Sequence, residues 1–152
     1  MPPATRAFLD TSALFAAIWS EEGGGRMLLR LGEAGAVQIA VSRQDLTELE
    51  RATRSKAPHA LASLAVLLDR SRIEVAPEPG REVLTTCEGL VAHPADAKIL
   101  AAAIASQADY LITLDRHHFL ENAKLRQEVP LFLGTPGDFL AWFRGRLTVE
   151  GA

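Results

Sequence analysis

A chain of 152 residues with 48% hydrophobic and 23% charged positions has enough apolar surface for a core without staples, which excludes a disordered segment. Its one cysteine, Cys87, excludes an internal disulfide and fits a reducing compartment. The net charge of −3 lacks the basic surplus of a sequence-independent nucleic-acid binder, although a local patch can differ in sign.

Ala and Leu dominate and aromatics make up only 6%, which favours helices packed on a sheet. In chain order the pattern predicts a strand over 6–9, a helix over 12–19 and a turn over 21–25 with three glycine breakers. A helix over 26–33, ended by Gly35, leads to a second strand over 37–41. Ser42 reads as an N-cap with Asp45 three residues on, opening a helix that runs to Lys56 and stops before Pro58. Then come a helix over 61–69, a short strand over 73–75 and helices over 82–91 and 94–107. Strands over 110–113 and 131–133 and a closing helix over 136–147 complete the pattern. Strands separated by helices imply βαβ units and a largely parallel sheet in a single domain over 1–152. Phe139, Trp142 and Phe143 fit a core or a dimer face, and their helical spacing favours core.

The N-terminal residues run into the first strand without a signal peptide's apolar stretch. The longest apolar runs, 60–68 and 99–105, are too short to span a bilayer. A soluble cytoplasmic protein with no membrane contact is the expectation.

Ligands of such sheets gather beyond the carboxyl ends of the strands. Asp10 and Asp115 each follow a strand directly, and each also suits a helix N-cap. Asp96 stands in a first helical turn behind Pro94, where a carboxylate is favoured by free N–H groups. It also opens the stripe Asp96, Ile99, Leu100, Ala103, which should pack inward, so its charge needs a partner. Glu48 is not selected by periodicity; Asp45 and Glu50 on the same helix fit solvent equally well. Several carboxylates with no cysteine cluster or paired histidines favour Mg²⁺ or Mn²⁺ over zinc. His93, His117 and His118 read as surface side chains, while Ser12 and Thr113 could orient the carboxylates. Arg43, Arg51, Arg54 and Lys56 could meet phosphates, although a solvated helix face is the plainer reading.

The segment Phe8-Leu9-Asp10-Thr11-Ser12-Ala13-Leu14 resembles the opening motif of the PIN-domain nucleases, in particular VapC-like toxins and their stand-alone relatives. The resemblance continues through Glu48 in Thr47-Glu48-Leu49, then through Asp96 and its Ala-rich helix to Thr113-Leu114-Asp115. It covers almost the whole chain. The chain departs from the pattern at His118, ahead of Phe119, where many relatives carry a further Asp. The resemblance implies a three-layer α/β/α fold whose five-stranded parallel sheet has the order 3-2-1-4-5. It also implies four catalytic acids, Asp10, Glu48, Asp96 and Asp115, with Ser12 and Thr113 in support and a metal on Asp10, Asp96 and Asp115. The activity implied is Mg²⁺- or Mn²⁺-dependent RNA cleavage, with frequent homodimers and, for the toxins, an antitoxin partner. A non-catalytic RNA- or protein-binding module on the same fold is the alternative.

Overall fold

The computed structural model describes residues 4–150. Five short strands form one sheet: β1 (Thr5–Leu9), β2 (Val37–Val41), β3 (Glu74–Val75), β4 (Tyr110–Ile112) and β5 (Phe132–Gly134). Their order is β3-β2-β1-β4-β5 and all four pairings are parallel, as the resemblance implied. Strand β1 is central, with Ala7 in register with both Ile39 and Tyr110.

Both faces of the sheet are covered, which is why its strands read as apolar runs and not as alternation. Successive side chains of a strand point to opposite faces. Ala7 and Leu9 therefore join one core, with Leu14, Leu28, Leu49 and Phe139, while Phe8 joins the other, with Leu100, Leu111 and Phe119. The first core is built by α1 (Thr11–Trp19), α2 (Gly24–Glu33), α3 (Arg43–Lys56), α4 (Leu61–Arg70) and α8 (Pro136–Glu150). The second is built by α5 (Arg81–Glu88), α6 (Pro94–Ala105) and α7 (Ala123–Glu128). Phe139 and Phe143 are core residues, and Trp142 packs beside them against Tyr110 and Phe132. Cys87 is buried on α5. No helix among the described residues is long and apolar enough to cross a membrane.

Two departures from the sequence pattern have local causes. Helix α2 starts at Gly24, inside the segment expected as a turn. Gly23 takes the positive φ of 95° that a side chain would resist, while Gly25 lets the helix close on α1. A Cβ at Gly25 would stand 2.8 Å from the Ala17 Cα. After Asp115 the chain makes a single wide turn over Arg116–Leu120, with Glu121 N–H donating to the Arg116 carbonyl at 2.8 Å, where a helix was expected.

Candidate active site

Asp10 leaves the end of β1 in extended geometry and caps α1, its Oδ1 accepting from the Ala13 N–H at 2.9 Å. The Ser12 hydroxyl donates to the same oxygen at 2.7 Å. The Thr113 hydroxyl, from the chain just beyond β4, donates to Oδ2 in a very short bond. Each hydroxyl also accepts from the neighbouring loop: Ser12 Oγ from Leu114 N–H at 3.0 Å, Thr113 Oγ1 from Asp115 N–H at 2.9 Å. The ends of β1 and β4 are thus tied together through one carboxylate. Burial raises the Asp10 pKa, opposed by the Thr113, Ala13 and Ser12 hydrogen bonds, and Asp115 adds repulsion.

Asp115 caps the turn that follows it. Its Oδ1 accepts from His118 N–H at 3.0 Å and its Oδ2 lies 2.9 Å from His118 Nδ1. The same Nδ1 is 3.5 Å from Asp96 Oδ2, which arrives from the first turn of α6. Burial opposes the charged form of Asp115, but its bonds to the His118 backbone and ring win and its pKa is lowered. The His118 pKa is raised in return, chiefly by the Asp115 hydrogen bond. Asp96 is raised by burial and by Asp115, against the pull of His118 and His93.

These elements surround a cleft of about 270 Å³ at the carboxyl end of the sheet. Its lining includes Asp10, Asp45, Glu48, Asp96 and Asp115, and neither Lys nor Arg. A larger hollow of about 770 Å³ lies elsewhere, beside Trp19 and Leu64. There Glu21 and Glu33 are matched by Arg26 and Arg70, so volume does not identify the chemistry. In the acidic cleft Asp96, Asp115 and His118 each offer a ligand atom, all within 4.8 Å of one another. Carboxylate oxygens with one imidazole suit a hard or borderline divalent cation such as Mg²⁺ or Mn²⁺. The donor set fits such an ion.

The family model for the PIN domain matches residues 6–117. The chain belongs to the PIN-domain family. PIN domains are in general nucleases and usually use a divalent metal. Among solved structures, a chain of VapBC2 from Rickettsia felis, crystallised with a DNA fragment from its promoter, shares the fold. The TM-score is 0.63 at 22% identity, over 86% of this chain and 98% of that one. No curated protein sequence matches.

In this PIN domain all four acids expected from the sequence line the cleft, although only Asp96 and Asp115 belong to the tight trio with His118. Asp10 sits deeper, 6% exposed, with its oxygens engaged by Ser12, Thr113 and Ala13. Glu48 reaches the cleft from α3 and is half-buried. Sequence reasoning missed two residues. His118 is partly exposed, as a surface histidine would be, yet it bridges two of the acids. Asp45 was equally compatible with solvent but is 2% exposed. A readable signal existed for it: Asp45, Leu49 and Thr53 are the buried stripe of α3, at helical spacing. Burial pushes the Asp45 pKa up to about 6 against the Thr11 and Ser42 hydroxyls, with repulsion from Asp10 and Glu48 added. The basic residues Arg43, Arg51, Arg54 and Lys56 are exposed on α3, and the Lys56 Nζ stands 5.7 Å over the Trp19 ring.

Proposed function

We propose that this protein, as a single domain over 1–152, is an endoribonuclease that hydrolyses RNA phosphodiester bonds with the help of Mg²⁺ or Mn²⁺. The observation that carries the reading is a cleft with five lining carboxylates and no lysine or arginine, at the strand ends where such folds bind ligands. Five carboxylates with one imidazole beside two of them are costly to hold together unless a cation joins them. Asp10, Asp96 and Asp115 would hold the ion. Bound there, it supplies Lewis acidity: it makes water nucleophilic at neutral pH and offsets charge growing on phosphate oxygens.

The chain's own residues do the rest. Asp10 is fixed by three donors, so its charge is presented without reorganisation. Thr113 and Ser12 set the distance between the Asp10 and Asp115 segments by bonding to both. Glu48, which lines the same cleft from α3, would accept the proton released by the attacking water. Asp115 holds His118 through both its N–H and its ring, which ties the turn over Arg116–Leu120 to the acid.

The likeness in fold to a VapBC2 chain is the ground for proposing a place in a toxin–antitoxin pair with an antitoxin protein as partner, and the homodimer is proposed from the family resemblance alone. A soluble cytoplasmic location accords with that role. The test is a cleavage assay on defined RNAs with and without Mn²⁺, comparing wild type with Asp10→Asn and Asp115→Asn. Cleavage should require the metal and should fall at least about a hundredfold in either variant, since each loses a charge from the transition-state environment. Full activity in a folded, purified variant, or activity in chelator, would remove the mechanism.

A further inference from the structure

Asp45 is not among the four acids that the resemblance assigns, yet it is the most buried carboxylate lining the cleft. Its Oδ1 accepts the Thr11 hydroxyl at 2.5 Å. Its Oδ2 is buried and makes no hydrogen bond within the described residues. A buried polar oxygen is ordinarily satisfied by protein or by ordered water, and leaving one bare is costly, more so when it is charged. Capping of α3 falls to Ser42, whose hydroxyl accepts from the Asp45 N–H at 3.0 Å and, with the Thr11 hydroxyl, favours the charged form of the carboxylate. Asp10 and Glu48 both add repulsion at Asp45.

We propose that Asp45 is a fifth carboxylate of the cation site, its bare Oδ2 accepting from the hydration shell of a divalent cation on the Thr11–Glu48 side of the cleft. Magnesium and manganese keep several waters when bound by a few carboxylates, and those waters need acceptors. A group that orients such a shell is a positioning residue, and losing one typically weakens metal affinity 10–100-fold. This rests on the metal-dependent reading of the same cleft.

The test is direct Mn²⁺ titration of the full chain by calorimetry, paired with melting in chelator. Wild type is compared with Asp45→Asn, Asp45→Thr and Asp115→Asn. Both Asp45 variants remove the charge, and Asp45→Asn keeps an acceptor for Thr11. The expected result is Mn²⁺ affinity weakened about tenfold or more in both, with metal-free melting unchanged or higher than wild type. Wild-type affinity in a folded Asp45 variant, or variants that do not fold in chelator, would overturn the proposal, since a merely structural Asp45 predicts one of those results. The two readings fail separately. If wild type itself takes up no Mn²⁺, the cation site falls; if Asp115→Asn loses binding while the Asp45 variants keep it, only the role of Asp45 falls.

Discussion

Asp10 serves two purposes with one side chain: it closes the first turn of α1 and forms the floor of the acidic cleft. Asp115 does the same for the turn after β4. A capping role and a place in the cleft are therefore not rivals at a strand end, and weighing one against the other misjudges such residues. The protonation of the cluster gives a prediction for the metal-free protein. Asp10, Asp45, Asp96 and His118 all have raised pKa values in the folded state. Their contributions are fully present below the unfolded values and are lost as pH rises through the folded ones, about 6 for Asp45. Asp115 has the opposite sign, contributing above its unfolded value and losing this as pH falls through its lowered pKa. Melting in chelator should accordingly be higher at about pH 5 than at about pH 7.5. The Asp45 shift from 3.8 to about 6 alone corresponds to on the order of 3 kcal/mol. Saturating Mn²⁺ should flatten or invert the trend. A metal-free melting temperature that does not rise on acidification would mean the carboxylates are compensated within the protein. Asp10 and Asp115 were legible because each ends an apolar run. Glu48 came only with the family resemblance, since helical spacing did not distinguish it from Asp45 or Glu50. His118 was marked only as a departure from the family pattern and read as a surface side chain: its place beside Asp96 depends on the wide turn over Arg116–Leu120, which no local pattern announces.

At the level of elements, sequence periodicity located the five strands and most helices to within a few residues, because parallel strands buried on both faces stand out between Ala/Leu-rich helices, but it passed over the short helix α7. It failed where tertiary packing decides. Gly25 was read as a turn residue by composition, yet it is buried in α2 because Ala17 of α1 occupies the space a side chain would need. Gly145, in α8, has open space around its Cα. The two should respond oppositely to alanine. Gly25→Ala places a methyl group against backbone atoms of α1 and should cost about 1–3 kcal/mol. Gly145→Ala should instead stabilise by up to about 1 kcal/mol through helix propensity. Chemical denaturation of the two variants beside wild type measures both. A neutral Gly25→Ala would show that the α1–α2 contact is looser than the 2.8 Å approach implies.

Across the whole molecule, the alternation of strands and helices was enough to predict a parallel sheet, but not its order, since non-local pairing leaves no trace in any short window. The order places the first strand in the middle, so β1 is complete only when β4 arrives from the far end of the chain. The bond between Thr113 and Asp10 joins residues 103 positions apart. A chain ending at Asp109 retains β1, β2 and β3 but lacks β4 and β5, and it should show neither a cooperative unfolding transition nor Mn²⁺ uptake by calorimetry. Cooperative melting of that fragment would mean that the segment before β4 is an independent unit. The same long-range closure bears on synthesis. A copy still leaving the ribosome has its earliest acid waiting, unsupported, for a partner 103 positions later. If the cleft cuts RNA, the machine translating it is spared until the segment through Asp115 has emerged.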